Sequence, residues 1–102
     1  MTQVFIGGVP FMPLGHHDGR FVRTGGLFAF ARRDTFAGYT VLHLEMTPEI
    51  NRCAVPGHVR WGWCLGEGLN SLLVHLAGQP AILSKDANPR AETVRWHPDA
   101  QV

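Results

Sequence analysis

The stretch GGLFAFARRDTFAGYTVLHLEMTPEINR, residues 25–52, decides how this chain is read. Gly25 and Gly26 open LFAFARR, whose aromatic and small residues run into Arg32, Arg33 and Asp34. That pattern reads as a strand entering a turn. YTVLHLE, residues 39–45, is a second strand, and the intervening DTFAG is short enough for an antiparallel hairpin. Thr47, Pro48 and Glu49 then give the clearest helix start in the sequence. They supply a capping hydroxyl, a proline suited to the first helical position and a carboxylate matched to the helix dipole. Ile50, Cys53 and Ala54 share one face of that helix, and Pro56-Gly57 ends it after about two turns.

Outward from this core, a second helix is expected over His58–Glu67, with Trp61, Cys64, Leu65 and Gly68 at helical spacing. Gly62 and Gly66 each weaken it by about 1 kcal/mol relative to alanine, so packing must support it. NSLLVHLA, residues 70–77, is the third and most apolar strand. Residues 1–24 form an irregular lead-in containing the short strand segments Val4–Ile6 and Phe21–Arg23, with HHDG at 16–19 as a turn between them. Beyond Gly78, with Pro80, Pro89 and Pro98, we expect a helical turn or two around 79–86 and a poorly structured tail over about 88–102. The expected fold is α+β: one domain, 1–102, with a small, mainly antiparallel three-stranded sheet flanked by short helices.

Composition bounds the function. A chain of 102 residues supports a single core, and no apolar run reaches the roughly 18 residues of a membrane span. Its first residues, MTQVFIGGVPF, lack the basic start and apolar stretch of a secretory signal. Nine basic against eight acidic residues give no electrostatic grip on nucleic acid. Cys53 and Cys64 read as free thiols rather than a disulfide or half of a zinc module, which fits a reducing cytoplasm.

Pro13-Leu14, GGLFAFARR (25–33), VLHLEMTPEINR (41–52), Gly57-His58 and GLNSLLVHL (68–76) together resemble the GIY-YIG nuclease superfamily, in its small stand-alone bacterial members. The resemblance covers about two thirds of the chain and rests on the order of these segments. It implies a GIY-YIG-like sheet and a site in which two tyrosines and an arginine orient water and phosphate while a glutamate holds a divalent metal. Here the tyrosine positions fall on Phe28 and His43, and the signature glycine falls on Glu45. Arg52 stands one residue before the arginine position, His58 matches the histidine after the helix, and Glu92 would be the metal ligand. The resemblance therefore implies a catalytically degenerate module that binds or interacts, with nucleic acid as one ligand class and no cofactor. A lone tyrosine, Tyr39, is the count that argues most against catalysis. The alternatives are an active magnesium- or manganese-dependent phosphodiesterase with His43 as base and Arg52 on the phosphate, and a homodimeric interaction module.

The residues themselves add two readings. His43 and Glu45 lie two apart on a strand and share a face, so with His58 or His75 they could complete a three-ligand metal set. Read more plainly, they are half-buried polar positions at a sheet edge, satisfied by arginine or backbone partners. Arg32 and Arg33 at a strand end, joined by Arg52 and Arg60, could hold a phosphate; the default is solvated charge. His16, His17 and Asp18 read as a solvated turn, His75 as a satisfied core histidine and His97 as part of the tail. Trp61 and Trp63 differ by about 200° around a helix, so one core cannot take both. One of them is expected to meet a loop, a ligand or a second subunit.

Overall fold

The computed structural model describes residues 4–14, 16–34, 38–78 and 93–101. In chain order the elements are β1 (Val4–Ile6), β2 (Val9–Pro13), β3 (Gly26–Arg33), β4 (Tyr39–Thr47), α1 (Ile50–Cys53), α2 (Trp61–Gly66), β5 (Ser71–Leu76) and β6 (Val94–Gln101). One six-stranded sheet runs β1-β2-β5-β3-β4-β6. All neighbours are antiparallel except β4 and β6, which are parallel. The expected α+β fold, a three-stranded sheet flanked by helices, is thus corrected to a mixed half-barrel. Strand takes 49% and helix only 12% of the described residues.

The three main strands read from sequence lie at the centre as β5-β3-β4, the short segment Val4–Ile6 is β1 as expected, and β2 and β6 were missed. β1 and β2 turn the lead-in into a hairpin around Gly7 and Gly8, both at positive φ. Phe21–Arg23 is not a strand. β6 occupies the segment read as a tail. Pro98 argued for disorder there, but β6 is an edge strand, where a missing N–H costs no ladder bond. Its partner β4 is parallel and distant in sequence, so no hairpin signal announces it. The expected helical turns at 79–86 lie outside the described residues.

The first helix is one turn rather than two. Glu49, not Thr47, is its N-cap, and Thr47 Oγ1 instead accepts the Glu49 backbone N–H at 3.1 Å. The second is shorter than expected, consistent with its two glycines.

The two faces of the sheet differ in what they pack. On β3, Phe28 and Phe30 point to the helices, and Ala29 and Ala31 point the other way. The phenyl face packs with Leu42, Leu72 and Val74 against Ile50, Ala54, Trp61 and Cys64. On the alanine face, Val4, Ile6 and Phe11 from the first hairpin meet Tyr39 and Val41, with Val94 of β6 packed alongside. Residues from opposite ends of the sheet meet there, so this face is the inside of the curl. Small side chains at its floor make room for that curvature.

Candidate functional site

β4 carries a bulge. Phe30 pairs with His43 and Ala31 with Val41, leaving Leu42 as the extra residue. From Tyr39 and Val41, simple alternation would send His43 and Glu45 into the curl. The extra residue reverses that parity, so Leu42, His43 and Glu45 all face the helices. His58, in the connection between α1 and α2, comes down on the same spot.

There His43 Nε2 and His58 Nε2 each lie 2.8 Å from one atom, Glu45 Oε1. The imidazoles are 4.9 Å apart, centroid to centroid. Phe30 stands edge-on to His58 at 5.2 Å and to Trp61 at 5.4 Å, and Phe28 closes the other side at 6.0 Å from His58. His43 and Phe28 are buried. Burial opposes the charge on Glu45, but the hydrogen bonds from His43 and His58, and then their charge, hold its carboxyl below the usual range.

Hydrogen-bond partners assign the tautomers. His58 Nδ1 accepts the Arg60 backbone N–H at 2.9 Å, so in the neutral ring the proton sits on Nε2 and is donated to Glu45. Nδ1 of His43 is buried and has no hydrogen-bond partner among the described residues. This bears on a metal, since the three ligand atoms lie within 4.8 Å of one another and form the set of His, Cys, Asp and Glu found among the described residues. A metal-bound imidazole presents a bare nitrogen to the ion and donates its other N–H to an acceptor. His58 meets a donor at that position and His43 meets nothing. In this arrangement the two imidazoles clamp the carboxylate through their N–H groups, and the same three residues form a set that could hold a metal ion.

A second histidine is wired the same way. His97 Nδ1 accepts the Asp99 backbone N–H at 2.9 Å, and its Nε2 lies 2.8 Å from Glu67 Oε1. It fastens β6 to the end of α2. That pair was not anticipated, because His97 was read as tail and nothing in the sequence links it to Glu67.

The remaining site candidates scatter. Arg52 stands out from α1 with its side chain 75% exposed, paired to Glu49. Glu92 lies outside the described residues. His75 faces the inside of the curl and bonds the Pro10 carbonyl, so of the two proposed third partners for His43 and Glu45 it is His58 that meets them. Arg32 and Arg33, as strand neighbours, point to opposite faces. Arg32 turns to the helix side, where it bonds Asp34, Thr40 and the Glu67 carbonyl that ends α2. Burial opposes charge on Asp34, but bonds from Arg32 and Thr40 and the charges of Arg32 and Arg95 lower its pKa. Trp61 is buried against Phe30 and His17; Trp63 lies between the Arg60 guanidinium at 4.0 Å and the His97 ring at 5.0 Å. One of these tryptophans was expected to meet a loop, a ligand or a second subunit, and Trp63 has His97 of the chain's own last strand against it. Cys53 and Cys64 are free thiols, and burial raises the pKa of Cys64.

Two open cavities lie away from the cluster, one at each end of the sheet. One, of about 450 Å³, is lined by Pro13, Leu14, Arg33, Tyr39, Asn70 and Ser71. The other, of about 490 Å³, is lined by Gly25, Gly26, Met46, Thr47, Pro48 and Ala77. No helix among the described residues is long and apolar enough to cross a membrane. No family model, curated protein or solved structure matches this chain.

Proposed function

We propose that this chain is a non-hydrolytic binding module. One observation carries the reading: the residues best suited to acid–base chemistry are already spent on one another and packed over. Both imidazole Nε2 atoms are committed to Glu45 Oε1. The remaining nitrogen of His43 is buried, and that of His58 is bonded to Arg60. A general base must come within hydrogen-bond reach of the proton it takes, and neither ring offers a nitrogen to a substrate. Phe28, at the first tyrosine position of the GIY-YIG resemblance, is fully buried and carries no hydroxyl. Arg52 pairs with Glu49 instead of joining the cluster.

The test is direct. Incubated with supercoiled plasmid and magnesium or manganese, the protein is expected to leave the DNA intact. Calorimetric titration with manganese or zinc is expected to give no stoichiometric uptake. Nicking that His43→Ala abolishes, or one-to-one metal uptake that Glu45→Ala abolishes, would overturn the proposal.

A further inference from the structure

We infer that this chain pairs with a second copy of itself, each copy seating Phe21 in the apolar cavity at the Gly25 end of the other's sheet. The pairing goes beyond the non-hydrolytic reading and does not depend on it. One molecule carries both halves of the contact, an apolar knob and an apolar hole, on either side of α1.

The knob is an exposed ring on a fixed backbone. Phe21 is 79% exposed, in a turn closed by the Val22 N–H on the Gly19 carbonyl at 2.9 Å. Gly19 is buried and donates its N–H to the Ala54 carbonyl at 2.7 Å, and a Cβ there would meet the Ala54 Cβ at 2.8 Å. Val22 packs on the helix-side core. Asp18 braces the turn, accepting the Arg20 backbone N–H at 3.0 Å and pairing with its guanidinium at 2.9 Å. A turn so anchored has little freedom left to lose, so burying its phenyl ring carries a small ordering cost.

The hole is the cavity of about 490 Å³, none of whose lining residues is ionisable. A cavity of about 150 Å³ is enough for a benzene ring. Gly25 and Gly26 add no side chains to its lining, and the exposed Met46 gives it an adaptable apolar wall. The Phe21 turn is bonded to Ala54, just past α1, and Pro48 of the cavity stands just before it. Since α1 is a single turn, the two features lie on the order of 10 Å apart. A twofold axis at α1 lays each copy's knob on the other's hole, an isologous contact that closes on itself. The charges favour a second copy over an unrelated partner. Arg20 is taken by Asp18, whereas Arg23, exposed beside the knob, has no partner among the described residues. Beside the hole, the exposed Glu49 is engaged among the described side chains only through Oε2, 3.4 Å from Arg52 Nε. The twofold that seats Phe21 brings Arg23 toward the partner's Glu49, and does so twice.

Sedimentation velocity of the whole protein over a concentration series is expected to show a monomer–dimer equilibrium. Phe21→Ala should weaken the dimer roughly a hundredfold or more, because a twofold interface carries this anchor twice. Met46→Asp, which sets a charge on the cavity wall, should weaken it comparably. Mixing these two variants restores one intact knob and hole, so they should form a heterodimer tighter than either variant's own dimer. Arg23→Glu should weaken the dimer several-fold, and adding Glu49→Lys should recover it. Val59→Ser, at another exposed apolar residue, should leave it unchanged. The side chains replaced are all exposed, and urea unfolding checks that each variant keeps its fold. The pairing is overturned by a monomer at the highest soluble concentration, or by a dimer that Phe21→Ala and Met46→Asp leave intact. It is equally overturned if the two variants, each folded, fail to complement one another.

Discussion

His58 on Glu45 and His97 on Glu67 are the same device in two settings. In each, Nδ1 accepts the backbone N–H two residues on and Nε2 meets a glutamate oxygen at 2.8 Å. Both tie the sheet to the helical layer, one through β4 and one through β6. The first sits among phenyl rings and shares its carboxylate with His43; the second has Trp63 beside it, and the two glutamates are comparably exposed, 34% and 38%. The repeat is instructive, because the outer copy has no third ligand among the described residues and still adopts the arrangement. The wiring is a fastener, and the extra histidine at Glu45 is an elaboration of it.

The comparison can be broken most forcefully at its walls. Phe30→Ala should cost about 3–5 kcal/mol, since Phe30 is fully buried against both imidazoles of the inner fastener and Trp61. Urea unfolding reads this, and a loss under about 1 kcal/mol would mean the pocket is not packed as described. Next, Glu45→Ala should cost about 1–3 kcal/mol, because it leaves two buried N–H donors without an acceptor. The matching Glu67→Ala should cost no more than about 1 kcal/mol, because it strands one donor instead of two, on a histidine less buried than His58. Equal losses would erase the distinction between inner and outer copies.

The smallest effect is in acid. Folding lowers the pKa of Glu45 and of Asp34, so their contribution is present above the ordinary carboxylate range. It is lost as the pH falls through their lower folded values. The wild type should therefore lose stability on acidification below that range. Glu45→Ala should lose less across the same interval, with a residue of the effect left by Asp34. An identical acid dependence in the two proteins would show that Glu45 is not specially held.

Much of the fold's centre was legible because β3, β4 and β5 carry dense local patterns of apolar and aromatic residues. Of the outer strands, β1 was read as the segment Val4–Ile6, and β2 and β6 were not. β2 contains Pro10 and Pro13, and β6 contains Pro98 and pairs in parallel with a strand more than fifty residues earlier. Proline at an edge and proline in a loop look alike in sequence. The pairing of His43 with Glu45 on one face was readable from their spacing alone. That His58 joins them depends on how the α1–α2 connection folds back, which no local pattern encodes. That Arg32 and Arg33 are not brought together was also readable, since adjacent strand residues face opposite ways.

The bulge at Leu42 sets a rule for how this chain can change by insertion and deletion. Loss of Leu42 itself would remove the extra residue and restore plain alternation to β4, with His43 following Val41 and keeping, like Glu45, its place on the helix side. The cost would be the fully buried Leu42 side chain. Loss of Leu44 instead, with the bulge kept, would turn Glu45 into the curl and away from His58. The bulge therefore absorbs a change of length at 42, whereas a change between His43 and Glu45 moves charge into the second core.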